Sequence, residues 1–110
     1  MISVRVVLRR GGLRFLRSEG HAVDSGEGSV PCAAVSALVG AASRALINAE
    51  GCQVDGSAPD PGYLELQVLR VRPGKGRWLR GVTDVLLQGL KDVGREFPGA
   101  VHLVIEEKGE

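Results

Sequence analysis

Apolar and polar residues alternate from Ile2 to Arg9, with Ile2, Val4, Val6 and Leu8 on one side and Ser3, Arg5, Val7 and Arg9 on the other. A period of two marks a half-buried β-strand. Gly11-Gly12 follows and predicts a two-residue hairpin turn. Leu13, Phe15 and Arg17 then alternate with Arg14 and Leu16, so a return strand delivers the chain to Gly20-His21. Residues 19–29 read as a loop. It holds Gly20, Gly26 and Gly28 and the acids Glu19, Asp24 and Glu27.

The pattern then lengthens. Residues 31–48 predict a helix, with Ser29 placed to cap it and Pro31 suited to its first turn. Six alanines give it strong propensity, and no charge interrupts it before Arg44. Such a helix is expected to be buried on more than one side, between a sheet and either a second helix or a partner subunit. Gly51 is its expected stop. Residues 53–62 are turn-rich, with room for a short strand at their start. Residues 63–72 alternate as a strand, and Pro73-Gly74-Lys75-Gly76 is a loop. Leu79, Val82, Leu86, Leu90 and Val93 recur at spacings of three and four, which predicts a helix over residues 77–97 stopped by Pro98-Gly99. Val101, Leu103 and Ile105 alternate with His102, Val104 and Glu106 in a last strand, followed by a polar tail expected to fray. The order β-β-α-(β)-β-α-β predicts an α+β fold, a mainly antiparallel sheet carrying two helices.

Composition narrows this little. The chain has 110 residues, which suits a single domain spanning 1–110. Its 44% hydrophobic content fits a packed core, and 4% aromatics leave that core to Val, Leu, Ile and Ala. Net charge is +1, which argues against nucleic acid as a partner. Clusters at Arg9-Arg10 and from Arg70 to Arg80 are weak evidence for a basic edge. No segment reads as the roughly 18 to 20 apolar residues a membrane span needs. A strand pattern begins at once, without the apolar segment and cleavage site of a secretory signal. The expected location is the cytoplasm, where Cys32 and Cys52 would be thiols. They also sit at opposite ends of the first predicted helix, too far apart to bridge.

The chemistry concentrates at two residues. Cys32 opens the first helix, and His21 lies eleven positions earlier (32 − 21), across a glycine-containing loop. That is enough chain to bring imidazole to thiol. A thiol at a helix N-terminus meets the positive end of the helix dipole, which favours the thiolate, and backbone N–H groups of the first turn can hold an oxyanion. An adjacent imidazole completes the needs of a cysteine nucleophile. The plainer alternative is a cysteine that only packs. His102, in the last strand, is a secondary candidate base, and Cys52 reads as packing. No Cys or His pair has metal-ligand spacing, so neither a metal nor a cofactor is expected. Gly74-Lys75-Gly76-Arg77 lacks the pattern of a phosphate loop and reads as a basic turn. A redox role is poorly supported, because no resolving cysteine is adjacent.

Gly20-His21-Ala22, a glycine-containing loop, and then the unbroken run Cys32-Ala33-Ala34-Val35-Ser36-Ala37-Leu38 resemble the ribosomal-processing cysteine protease family, Prp. The resemblance extends over nearly the whole chain in element order and length. It implies an endopeptidase that removes a short N-terminal extension from the large-subunit ribosomal protein numbered twenty-seven, cleaving after a phenylalanine. It further implies Cys32 as nucleophile, His21 as general base, a homodimer, and a gating loop between the two residues. Ser36 matches the motif serine, on the same helix face as Cys32. The chain departs from the family pattern in three ways. The loop is one residue shorter, Pro31 replaces a valine, and Ser29 replaces an aspartate. Ser29 brings no carboxylate, so Asp24 or Glu27 would have to orient the histidine. A second reading follows from that departure and from the arginines of residues 70–80: a ribosome- or RNA-associated module that kept the fold and lost the reaction.

Overall fold

The computed structural model describes residues 1–20, 29–60 and 62–109, without the side chain of Ser29. The elements run β1 (Ile2–Arg9), β2 (Gly12–Gly20), α1 (Ser29–Asn48), β3 (Cys52–Ser57), β4 (Tyr63–Val71), α2 (Gly76–Glu96) and β5 (Val101–Lys108). The strands form one sheet in the order β3-β4-β2-β1-β5. All neighbours are antiparallel except β1 and β5, which run parallel. The expected α+β class and element order hold, with β3 formed as a true edge strand.

β1 sets the layering. Ile2, Val4, Val6 and Leu8 are buried together with Val35, Val39 and Leu46 of α1 and Leu79, Leu86 and Leu90 of α2. Both helices therefore cover one face of the sheet. Leu16, Leu46 and Leu90 have no solvent exposure, and each such side chain contributes roughly 1.5–3 kcal/mol by leaving water. Val7 on the other face is also buried, but Ser3 is half-buried and Arg5, Arg9, Gln67 and His102 are not buried. No helix covers that face among the described residues. A salt bridge between Arg5 and Glu106 at 2.7 Å lies on it. Its partners are about half exposed, so it adds little to stability.

The hairpin turn falls one residue earlier than Gly11-Gly12. Arg9 pairs with Gly12, leaving Arg10 and Gly11 as the two turn residues at φ 55° and 76°. Positive φ at both central positions is the turn that matches strand twist. Beyond it, Val7 faces Phe15 while Leu8 faces Leu13, so Arg14 is an extra residue, a β-bulge. The bulge resets the alternation. Leu13, Leu16 and Ser18 are buried, against the predicted grouping of Leu13 with Phe15 and Arg17. A second bulge lies in β4, where Gln53 faces Arg70 and Val54 faces Val68, leaving Leu69 extra.

α1 begins at Ser29 rather than at residue 31, so Ser29 is the first helical residue and not the cap. Pro31 does lie in the first turn. The helix buries a single stripe, Pro31, Val35, Val39, Ala42, Ser43 and Leu46, and is not buried on several sides. Its flank meets α2, where Gly89 leaves room for Leu38. Val30–Asn48, 19 residues of mean hydropathy 1.7, is long and apolar enough to cross a membrane, contrary to the sequence expectation. Arg44 is its single charge and its alanines keep it slim, so the apolar stripe that packs on the sheet is extended by small residues on the outside.

α2 is amphipathic. Leu79, Thr83, Leu86 and Leu90 are buried, at spacings of four, three and four. Thr83 has no exposure. Its hydroxyl donates to the Leu79 carbonyl at 2.7 Å and accepts from the Leu13 N–H at 3.0 Å. The residue thereby ties α2 to β2 beside the first bulge. Phe97 ends the helix with its N–H on the Val93 carbonyl. β5 extends to Lys108, so Glu107 and Lys108 belong to the sheet and not to a frayed tail.

Candidate active site

Ile2 and Gly20 are register partners at one end of the sheet, and both border the cleft into which the first turn of α1 also runs. Gly20 has φ 100°, a conformation that side chains rarely adopt, and a Cβ there would run into the Met1 carbonyl oxygen. Glycine is therefore required where β2 ends. The Gly20 N–H donates to the Gly62 carbonyl at 3.0 Å, which ties the strand end to the β3–β4 connection.

A cleft of about 530 Å³ opens between these parts. Ile2, Ser18, Gly20, Cys32, Val35 and Ser36 form one wall, and Asp60 of the β3–β4 connection with Tyr63, the first residue of β4, belongs to the other. Cys32 is the fourth residue of α1 and is half-buried. Ser36, one turn further on, is exposed and borders the same cleft, as the i,i+4 spacing predicts. Pro31 has no N–H, so Ser29, Val30 and Cys32 are the backbone donors of this turn. The apolar lining comes from Ile2, Val35, Val39 and Leu64.

His21, Asp24 and Glu27 lie outside the described residues, as does the side chain of Ser29. Gly20, the sequence neighbour of His21, borders the cleft that holds Cys32. His102 is exposed in β5 opposite Ser3, while Val101 and Leu103 on either side pack towards the core. The imidazole is thus on the uncovered face of the sheet, away from the cleft. Cys52 starts β3 and packs against the core, and the two cysteines form no disulfide. Among the described residues no cluster of three His, Cys, Asp or Glu could hold a metal. Lys75 of the basic turn rests over the Trp78 ring, 4.5 Å from its centroid.

The wall built from Ala58, Pro59, Asp60, Gly62 and Tyr63 was not visible in the sequence. Its residues become part of the cleft because β3 and β4 pair at the edge of the sheet beside Gly20, and no local motif announces that.

The fold is shared with solved structures. The chain superposes on SMU.848 from Streptococcus mutans with a TM-score of 0.80 at 23% identity, covering 98% of this chain and 96% of that one. It matches the essential ribosomal processing protease Prp from S. aureus in complex with a covalently linked product peptide, with a TM-score of 0.79 at 19% identity, covering 96% and 100%. The same enzyme with a substrate peptide gives 0.79 at 16%, again covering 96% and 100%. No curated protein matches the chain. The family model described as cysteine protease Prp matches residues 1–102. A cleft with a cysteine in the first turn of a helix thus sits in a chain whose sequence carries the family pattern over nearly its full length, and the protein belongs to the Prp family of cysteine proteases.

Proposed function

We propose that this protease removes the N-terminal extension of the large-subunit ribosomal protein numbered twenty-seven, cleaving after a phenylalanine-containing motif. The observation that carries the reading is the position of Cys32, in the first turn of α1 and on the wall of the cleft, in a member of a cysteine protease family. The similar S. aureus enzyme is a ribosomal processing protease solved with a covalently linked product peptide. The apolar cleft lining suits a phenylalanine side chain.

In this reading the Cys32 Sγ attacks the scissile carbonyl carbon and His21 takes the thiol proton. First-turn N–H groups, to which Pro31 contributes none, hold the oxyanion. The C–N bond breaks as His21 passes the proton to the leaving amine. Water then hydrolyses the thioester, with its proton taken by His21 and returned to the thiol. Asp24 or Glu27 orients the imidazole in place of the family's aspartate, and Ser36 supports the cysteine from the next turn. No cofactor takes part. The working location is the cytoplasm. The functional unit is a homodimer, a reading supported by the exposed apolar side chains Val30 and Ile47 of α1 and Val85 of α2.

The test is cleavage of a peptide spanning the extension junction. Cys32→Ala should abolish cleavage and leave the thermal melt unchanged. His21→Ala should lower kcat by several orders of magnitude. Retained cleavage by Cys32→Ala overturns the assignment. Cleavage of an unrelated apolar peptide at equal kcat/KM overturns the substrate while leaving the chemistry. Size-exclusion chromatography with light scattering decides between dimer and monomer.

A further inference from the structure

The far end of the uncovered sheet face carries a row of cations that the proteolytic reaction does not use. Taken across the sheet, β5, β1, β2 and β4 are neighbours. Each contributes one cation at the same end: Lys108, Arg9, Arg14 and Arg70 line a single shallow depression. The two bulges create the row. Leu13 and Leu16 both face the core, so Arg14 and Phe15 between them lie off it. Val68 and Val71 pack on the core likewise, which leaves Leu69 and Arg70 on the outside. Without the bulges a strict alternation would interrupt the row.

The arrangement costs the fold stability. Arg9 and Lys108 are direct register partners, and like charges opposite one another destabilise a sheet. Among the described residues none of the four makes an ion pair. The Arg14 Nε is buried with no hydrogen-bond partner among them. Such a set is suited to an external anion. Leu69, 52% exposed, and the half-buried Phe15 lie beside Arg70 and Arg14 at the bulges. Phe15 offers an aromatic face next to the charges on which a base can stack, and Leu69 adds apolar surface beside it.

We propose that this face is a second binding surface, which takes a single-stranded nucleic acid with its phosphates on Lys108, Arg9, Arg14 and Arg70 and its bases against Phe15 and Leu69. Along β2, Arg14 lies six residues from Gly20 of the cleft (20 − 14), about 20 Å of strand, and the cleft is on the helix-covered side of the sheet. Both sites can therefore be occupied together.

The test is fluorescence anisotropy of the full chain with a labelled oligouridylate of about 12 nucleotides. Each phosphate contact adds about −0.7 to the slope of log K against log salt, so four contacts predict about a 50-fold weakening between about 50 and 200 mM salt. Arg9→Gln/Arg70→Gln/Lys108→Gln alters three exposed side chains. It should leave the melt unchanged, weaken binding at low salt more than tenfold, and reduce the salt effect to about threefold. If the triple variant does not fold, Arg70→Gln alone should still lower the slope by about 0.7. Lys91→Gln/Arg95→Gln, near the opposite end of the molecule on α2, should change nothing. Binding unaffected by the triple variant overturns the proposal. Equal affinity for polyglutamate makes the surface an acidic-peptide site, and tighter binding of a duplex makes it a double-strand site. Either result also overturns the proposal.

Discussion

Replacing Thr83 by valine tests how the helical layer is fastened to the sheet. The side chain is fully buried and its Oγ1 serves two groups, accepting from the Leu13 N–H at 3.0 Å and donating to the Leu79 carbonyl at 2.7 Å. Valine keeps the shape and the branching but removes the oxygen. The Leu79 carbonyl loses only an extra donor, because it lies within the helix. The Leu13 N–H is left in the core beside the bulge with no acceptor, at a cost of about 1–3 kcal/mol. For a domain of this size each kcal/mol lowers Tm by roughly 4 °C, so Thr83→Val should melt about 8 °C lower. Thr83→Ser keeps the hydroxyl and loses one methyl, which costs about 1 kcal/mol and roughly 4 °C. Thermal melts give the ranking and amide exchange gives the cause. The Leu13 amide should lose protection in Thr83→Val well beyond its change in Thr83→Ser. A Thr83→Val protein that melts within about 1 °C of the parent, with Leu13 still protected, would refute the reasoning.

Gly20→Ala places a Cβ at positive φ against the Met1 carbonyl. It should cost more than about 2 kcal/mol and lower kcat/KM of peptide cleavage, and a melt within about 2 °C of the parent would show that the strand end gives way freely. Leu46→Ala empties a site with no solvent exposure and should cost about 2–5 kcal/mol in urea unfolding, with an unchanged m-value. Cys52→Ala removes a half-buried packing thiol remote from the cleft. It should cost about 1 kcal/mol by chemical denaturation and leave cleavage intact, in contrast to Cys32→Ala.

The elements that the sequence disclosed are those with uninterrupted periods. β1 alternates cleanly because one of its faces is dry. The spacing of Leu79, Leu86 and Leu90 places α2 within one residue at each end. What escaped was every point where an extra residue breaks a period. Arg14 and Leu69 are unremarkable as letters, yet as bulges they decide which side chains reach the core. Arg10 carries no mark of a positive φ, so the glycines alone place the turn one residue late. α1 misled in another way. Its lack of charge before Arg44 suggests burial on more than one side, whereas small side chains also allow an uncovered surface. The site divides along the same line. Cys32 and Ser36 share a helix, so their juxtaposition follows from helical spacing. The wall around Asp60 and Tyr63 meets them only through tertiary pairing, which a linear motif does not encode.

The parallel pairing of β1 with β5 has a consequence for how the molecule is made. Ile2 is paired beside Val101, so about a hundred residues separate the first strand from its second neighbour along the chain. Contacts this distant in sequence are slow to form. Until β5 arrives, one edge of Ile2–Arg9 is an open row of backbone donors and acceptors beside an apolar face. A chain cut before Val101 has that edge bare. Aggregation, rather than slow catalysis, is then the failure expected of C-terminal truncations.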